Sequence, residues 1–224
     1  MEQLDSIITM VALTMGVGWA SGINLYATLL MLGFMANTGN IDLPPDLQVL
    51  ANPMVISAAA LMYAVEFFAD KVPGVDSGWD ALHTFIRIPA GAALAAGAVG
   101  DVSGSVELAA AIVGGGLAAS SHAVKAGGRV MINTSPEPFT NWFASLGEDV
   151  AVIAGVWAAL NHPYVFLAGL LLFILLLIWL LPKIARGIAR VFGFLLRFFR
   201  SEKPLVDDYR KISSGSDKGG KPLT

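Results

Sequence analysis

The chain contains no cysteine, which excludes disulfides, thiolate metal sites and a cysteine nucleophile. Charge is scarce as well: Asp, Glu, Lys and Arg make up 14% of the 224 residues, while 55% are hydrophobic and mean hydropathy is +0.67. That is the composition of a membrane protein, not of a soluble domain. No Lys or Arg precedes Lys71, so the opening M-E-Q-L-D-S lacks the basic region of a cleavable signal peptide and the first apolar segment is expected to be retained. The chain has no H-E-x-x-H, no G-x-S-x-G and no phosphate-binding Gly-Lys-Ser/Thr loop, and His83, His122 and His162 are scattered. The expectation is therefore no metal, no cofactor and no enzymatic activity.

Hydrophobic segments at 7–35, 54–68, 89–100, 106–133, 136–160 and 164–181 predict an all-α polytopic protein with about six transmembrane helices. The first and fourth are longer than a bilayer core requires. Gly16, Gly18, Ser21, Gly22 and Asn24 lie mid-way along the first, which suits close packing or a break, and the reading favours one long tilted or kinked span. Pro44-Pro45 with Asp42 and Asp46 marks 36–53 as a surface loop. Ser135 and Pro136 predict the start of the fifth helix.

Between the second and third apolar segments the chain reads V-P-G-V-D-S-G-W-D-A-L-H-T-F-I-R. Asp76 or Ser77 is expected to cap a helix on which Asp80, His83, Thr84 and Arg87 share a face. So polar a segment reads as a re-entrant or interfacial helix near 76–87, and the third apolar run is short for a span unless residues of this element extend it. Three domains follow: a transmembrane domain at 1–182, a basic amphipathic interfacial helix at 183–200, and a disordered cytoplasmic tail at 201–224. Lys183, Arg186, Arg190, Arg197 and Arg200 give the interfacial helix its basic face, suited to anionic lipid and not to nucleic acid.

Loops after spans two and four carry Lys71, Arg87, Lys125 and Arg129, whereas those after spans one, three and five carry no base. The positive-inside rule then puts both termini in the cytoplasm. Aligning the two long spans at an offset of 98 pairs Gly18 with Gly116 and Asn24 with His122, and an offset of 82 pairs Glu66 with Glu148. Two inverted three-helix repeats would follow from that alignment.

Ionisable groups inside a membrane are costly and usually have a task. The candidate substrate- or ion-binding residues are Asn24, Glu66, Asp70, Asp80, His83, Arg87, Ser121, His122, Lys125, Arg129, Glu148 and Asp149. Tyr63, Glu66 and Asp70 share one helix face, and Ser120, Ser121, His122, Lys125 and Arg129 resemble an anion-facing surface. Glu66 is expected to pair with Lys125 or Arg129, because a lone buried charge is penalised. Two functional readings stay open: a small transporter or channel-like protein with a polar cavity open to the cytoplasm, moving an ion, small solute or lipid headgroup, or a scaffold or assembly factor whose buried charges are structural. The partners expected are the bilayer and, at the basic tail, its anionic lipids. A homo-oligomer is compatible with either reading.

The motifs G-W-A-S-G-I-N-L-Y-A-T, F-A-D-K-V-P-G-V-D-S-G-W-D-A-L-H-T-F-I-R-I-P-A-G and I-N-T-S-P-E-P-F resemble those of a bacterial membrane family known as domain of unknown function 4126. The resemblance covers roughly residues 16–190 and implies a multi-pass protein of the bacterial inner membrane. It carries no activity across. F-I-R-I-P-A-G is also similar to the Arg-Pro re-entrant element of DedA-type lipid transporters, although the second arginine of that pattern is absent here.

Overall fold

The computed structural model describes residues 1–133 and 138–200. Ser135, Pro136 and the tail at 201–224 lie outside them, as do the side chains of Arg197 and Arg200. Among the described residues there are six α-helices, α1 (Glu2–Asn37), α2 (Pro53–Ala69), α3 (Val75–Ala98), α4 (Gly104–Ile132), α5 (Pro138–Asn161) and α6 (Pro163–Arg200), with a 3₁₀ turn at Pro45–Ala51. Among the described residues there is no strand. The chain divides into two compact units, the first Met1–Ala185 and the second beginning at Arg186.

Within the first unit the usual soluble distribution is turned inside out. Arg87, Arg129 and Glu66 are among the largest fully buried side chains, while Leu82, Phe85, Trp142, Phe143, Leu172 and Trp179 face outward. Water would favour the reverse. A chain solvated by lipid has this pattern, with its charges gathered where they can pair.

Small residues let the inner helices approach closely. A Cβ on Gly18 would meet the backbone of Gly114, one on Gly22 would meet the Ala118 carbonyl and the Ser121 hydroxyl, and one on Gly91 would meet Ala118. The glycine-rich stretches of α1 and α4 are thus packing surfaces for each other and for α3. Gly116, the partner of Gly18 in the repeat alignment, faces open space instead.

The first helix departs from the sequence reading. Asn24 alone is non-helical (φ −145°, ψ 98°), and it separates one arm at 2–23 from another at 25–37. The contacts require the second arm to fold back toward the end from which the first arm entered. Gly91 sits against Ser21 and Gly18, and further along α3 Val99 shares a cavity with Met10, Val11, Thr14 and Met15. Gly97, on that same stretch of α3, touches Leu47, while Gly33 lies against Leu50. Three residues span about 10 Å at most, so Gly33 must lie near the depth of the first arm's middle. In a straight helix it would be about 27 Å beyond Met15. Residues 7–35 therefore form a hairpin of two helical arms with Asn24 at its vertex, a sharper break than the tilted or kinked span expected. The physical cause is local: the Asn24 side chain accepts the Ala27 N–H (2.9 Å) and its carbonyl accepts the Thr28 hydroxyl (2.8 Å), capping the second arm as a new helix.

Four helices, α1, α4, α5 and α6, are long and apolar enough to cross a membrane, and the 3₁₀ turn with α2, bent by 69°, makes a fifth candidate. The expected six are not reached. α3 is not among these, yet it is one unbroken helix from Val75 to Ala98 with Pro89 inside it. The segment 76–87 and the apolar run after it are thus continuous: the apolar flank of 76–87 faces outward through Leu82, Phe85 and Ile86 while its charged flank is buried.

The Tyr164 hydroxyl donates to Asp5 (2.7 Å), placing the starts of α1 and α6 at the same end. By Ala185 α6 has run about 33 Å from there.

Candidate functional site

α2, α3, α4 and α5 bring seven ionisable side chains together beneath the α1 vertex. Arg87 donates to Glu66 and to Asp80, each at 2.8 Å. Lys125 is 2.6 Å from Asp70, 3.5 Å from Glu66, 3.6 Å from Glu148 and 3.8 Å from Asp80. Arg129 donates to Glu148 (2.6 Å) and to the Asp70 carbonyl (3.2 Å). The side chains of Glu66, Asp70, Asp80, Arg87, Lys125 and Arg129 are almost fully buried, while that of Glu148 is 21% exposed.

The sequence logic of this convergence is helical spacing. Asp80 and Arg87 lie two turns apart on one face of α3, Lys125 and Arg129 one turn apart on α4, and Glu66 and Asp70 one turn apart at the end of α2. Glu66 does meet Lys125 as expected, but Arg87 is nearer. That pairing was hidden by reading 76–87 as a separate interfacial element.

His122 stands between Arg87 (Nδ1, 3.0 Å) and Thr84 (Nε2, 2.8 Å). Guanidinium only donates, so Nδ1 accepts; Nε2–H then donates to the Thr84 hydroxyl, which passes its own proton to the Asp80 carbonyl (3.0 Å). This assigns His122 as neutral. His83 donates from Nδ1 to the Trp79 carbonyl (2.9 Å), stacks on the Trp79 ring, and meets the Tyr26 hydroxyl at 3.2 Å, two residues past the vertex. Asn24 itself donates to Asp149 (3.0 Å). The α1 break is thereby tied to α3 by Tyr26 and to α5 by Asn24.

Ser121 stands apart from the charges. Its hydroxyl donates to the Trp19 carbonyl (2.8 Å), joining α4 to α1, and Ser120 bonds its own helix at the Gly116 carbonyl. The anion-facing surface expected at 120–129 narrows to His122, Lys125 and Arg129. Conversely, the sequence reading took Asp76 for a helix cap only. Asp76 does accept the Gly74 and Ser77 N–H groups, but it also receives the Asn133 and Asn141 amides (2.9 and 3.0 Å) and is fully buried. The Asn141 side chain in turn accepts from Arg129. No charge marks Asn133 or Asn141 in the sequence, and the hydrophilic positions flanking residues 134–137 were their only signal.

Two cavities border the network. One of about 310 Å³ is lined by Lys125, Arg129, Glu148 and Ser121 together with apolar residues of α4 and α5. Another of about 520 Å³ is walled by Phe67, Phe139, Trp142, Phe143 and Leu146, with Lys71 at its edge. Lys71 holds its ammonium over the Phe67 ring (3.0 Å) and donates to the Phe67 carbonyl. Burial pulls its pKa down, and the nearby Asp149 and Asp70 carboxylates pull it back up. Among the described residues no group of three His, Asp or Glu is arranged to hold a metal ion.

The profile of a domain of unknown function (DUF4126) matches residues 11–183. The chain belongs to this family. The match takes in every charged member of the network and the α1 vertex. No curated protein and no solved structure matches the chain.

Proposed function

We propose that this DUF4126 protein is a small membrane transporter or channel-like protein, and that its working site is the junction of the α1 vertex with the buried charge network. One observation carries the reading: a helix broken inside the bundle, at Asn24, meets ionisable side chains from α3 and α5 there. Discontinuous helices end their backbone dipoles at such points, and transporters commonly bind substrate and coupling ions there. The cavity bordered by Lys125, Arg129 and Glu148 supplies an approach on the side of the basic ends. The cargo class stays as broad as the sequence left it: an ion, a small solute or a lipid headgroup.

The orientation proposed is a five-crossing one, made by α2 to α6, with α1 dipping in and out. The ends that carry Lys71 and Arg129 face the cytoplasm, and the N-terminus, with Glu2 and Asp5 and no base, faces outward. The bacterial inner membrane is the setting this reading assigns.

The competing reading is a scaffold, favoured by the near-complete burial of the ion pairs. Cysteine accessibility separates the two, because the chain has no cysteine of its own. Single cysteines at Tyr26, Ser121 and Glu148 would be challenged with a membrane-impermeant methanethiosulfonate on reconstituted protein. Reaction at Tyr26, at the vertex, is the expected result for a transport path. Silence at all three positions contradicts it and leaves the scaffold.

A further inference from the structure

Charge in the network does not balance. Four carboxylates, Glu66, Asp70, Asp80 and Glu148, face three bases, Arg87, Lys125 and Arg129, which leaves one negative charge in a low-dielectric interior. The surrounding elements do not supply the missing cation. From α4, His122 is neutral, because Arg87 donates to its Nδ1. From α1 and α3, Tyr26 and His83 are bonded to each other, and Asp76 adds a further acid held by two asparagine amides. From α5 comes another acid, Asp149, which takes the Asn24 amide; Lys71, in the turn after α2, donates to the Phe67 carbonyl and the Ser145 hydroxyl and lies near Asp149 and Asp70, so this base and Asp149 offset each other and leave the imbalance as it was. With Asp76, the wider set is more acidic still.

A second observation points the same way. Each of the three most buried network carboxylates keeps one oxygen without a hydrogen-bond partner: Glu66 Oε2, Asp70 Oδ1 and Asp80 Oδ2. Their other oxygens all lie within 3.8 Å of the Lys125 ammonium. An ionised carboxylate buried with one oxygen bare loses its hydration without replacement, whereas a protonated one carries no charge to solvate.

We infer that the network binds one exchangeable proton per chain, shared among Glu66, Asp70 and Asp80. The three carboxyls meet at one ammonium, so the proton belongs to the group and not to a single residue. Glu148, partly exposed at the 310 Å³ cavity and 3.6 Å from Lys125, is the exchange point with the medium. The point where the three carboxyls meet is already filled by the Lys125 ammonium, which leaves room for a proton on a carboxyl oxygen. This deepens the transport reading, on which it rests for its purpose, by naming the coupling ion.

Infrared difference spectroscopy of the full chain in nanodiscs tests the inference. At neutral pH, exposed carboxylates are ionised, so a carbonyl band of a protonated acid that shifts in deuterium oxide reports a buried carboxyl. The expected result is such a band equivalent to one proton per chain, lost in Glu66→Gln, Asp70→Asn and Asp80→Asn alike, since each leaves three acids facing three bases. Asp149→Asn, outside the ammonium's contacts, keeps it. Absence of the band in the unaltered protein overturns the inference without any need for variants to fold, as does nitrogen NMR that finds the proton on His83 instead. Pyranine-loaded proteoliposomes keep the two claims separate. A band without proton flux leaves the bound proton standing and removes the transport reading; flux of a solute without the band does the opposite.

Discussion

Lys125→Met is the sharpest perturbation of the network, because it keeps an unbranched side chain one atom shorter while deleting the one group that touches all four carboxylates. Asp70 is the nearest at 2.6 Å, and its next base, Arg129, is 3.9 Å away. Removing one partner from a buried ion pair costs about 3–5 kcal/mol, chiefly because the other charge stays buried. For a chain of this size that corresponds to a fall in thermal midpoint on the order of 10 °C. Glu66→Gln is predicted to cost much less, about 1–2 kcal/mol, since it leaves three acids facing three bases and its amide can still accept from Arg87. Adding Asp70→Asn to Lys125→Met removes both ends of the shortest contact and is expected to recover at least half of the loss. The assay is tryptophan fluorescence on heating in one detergent at one scan rate, with the five native tryptophans as reporters. Lys125→Met as stable as the unaltered chain, or Glu66→Gln more damaging than Lys125→Met, would refute the picture of an acid-rich network centred on the ammonium.

Gly22→Ala should cost about 1–3 kcal/mol by forcing α1 from α4, since its Cβ has no room beside the Ala118 carbonyl, whereas Gly116→Ala, with open space around it, should be neutral or slightly stabilising in the same melts. Asn24→Ala removes the cap of the second α1 arm and the amide held by Asp149, and a loss of about 1–2 kcal/mol with faster amide exchange across residues 25–28 is expected. A peptide covering residues 183–200 should bind vesicles of acidic lipid and leave as salt rises, with about 1 kcal/mol available per basic residue near the surface. Equal binding to neutral vesicles would remove the electrostatic part of that account.

Much of the site could be read from spacing. Glu66 with Asp70, Asp80 with Arg87, and Lys125 with Arg129 all recur at helical intervals inside apolar segments, and the structure turns each pair inward. Glu66 and Glu148, which the repeat alignment pairs, both reach Lys125 from different helices. The aligned helices differ in shape: α1 breaks at Asn24, while α4 runs unbroken through His122. The doubling back of α1 was not legible because a single residue produces it within an otherwise apolar and helix-compatible run. Pro89 misled in the opposite sense. It looked like the start of a new span, yet only one backbone donor is lost there, and α3 continues through it. Asp76 was underread for a similar reason: its role as a cap is visible locally, whereas its amide partners come from the ends of α4 and α5.

The path of α1 carries everything else, since it brings Asn24 and Tyr26 to the network and the proposed five-crossing orientation rests on it. Single cysteines at Glu2 and Asn40 in the otherwise cysteine-free chain, labelled with an impermeant maleimide on sealed, uniformly oriented vesicles, measure it directly. Labelling of both from the same face, with a cysteine at Ser135 labelled only from the other, is the predicted result. Labelling of Glu2 and Asn40 from opposite faces would mean that α1 crosses the membrane, and would contradict the account at its root.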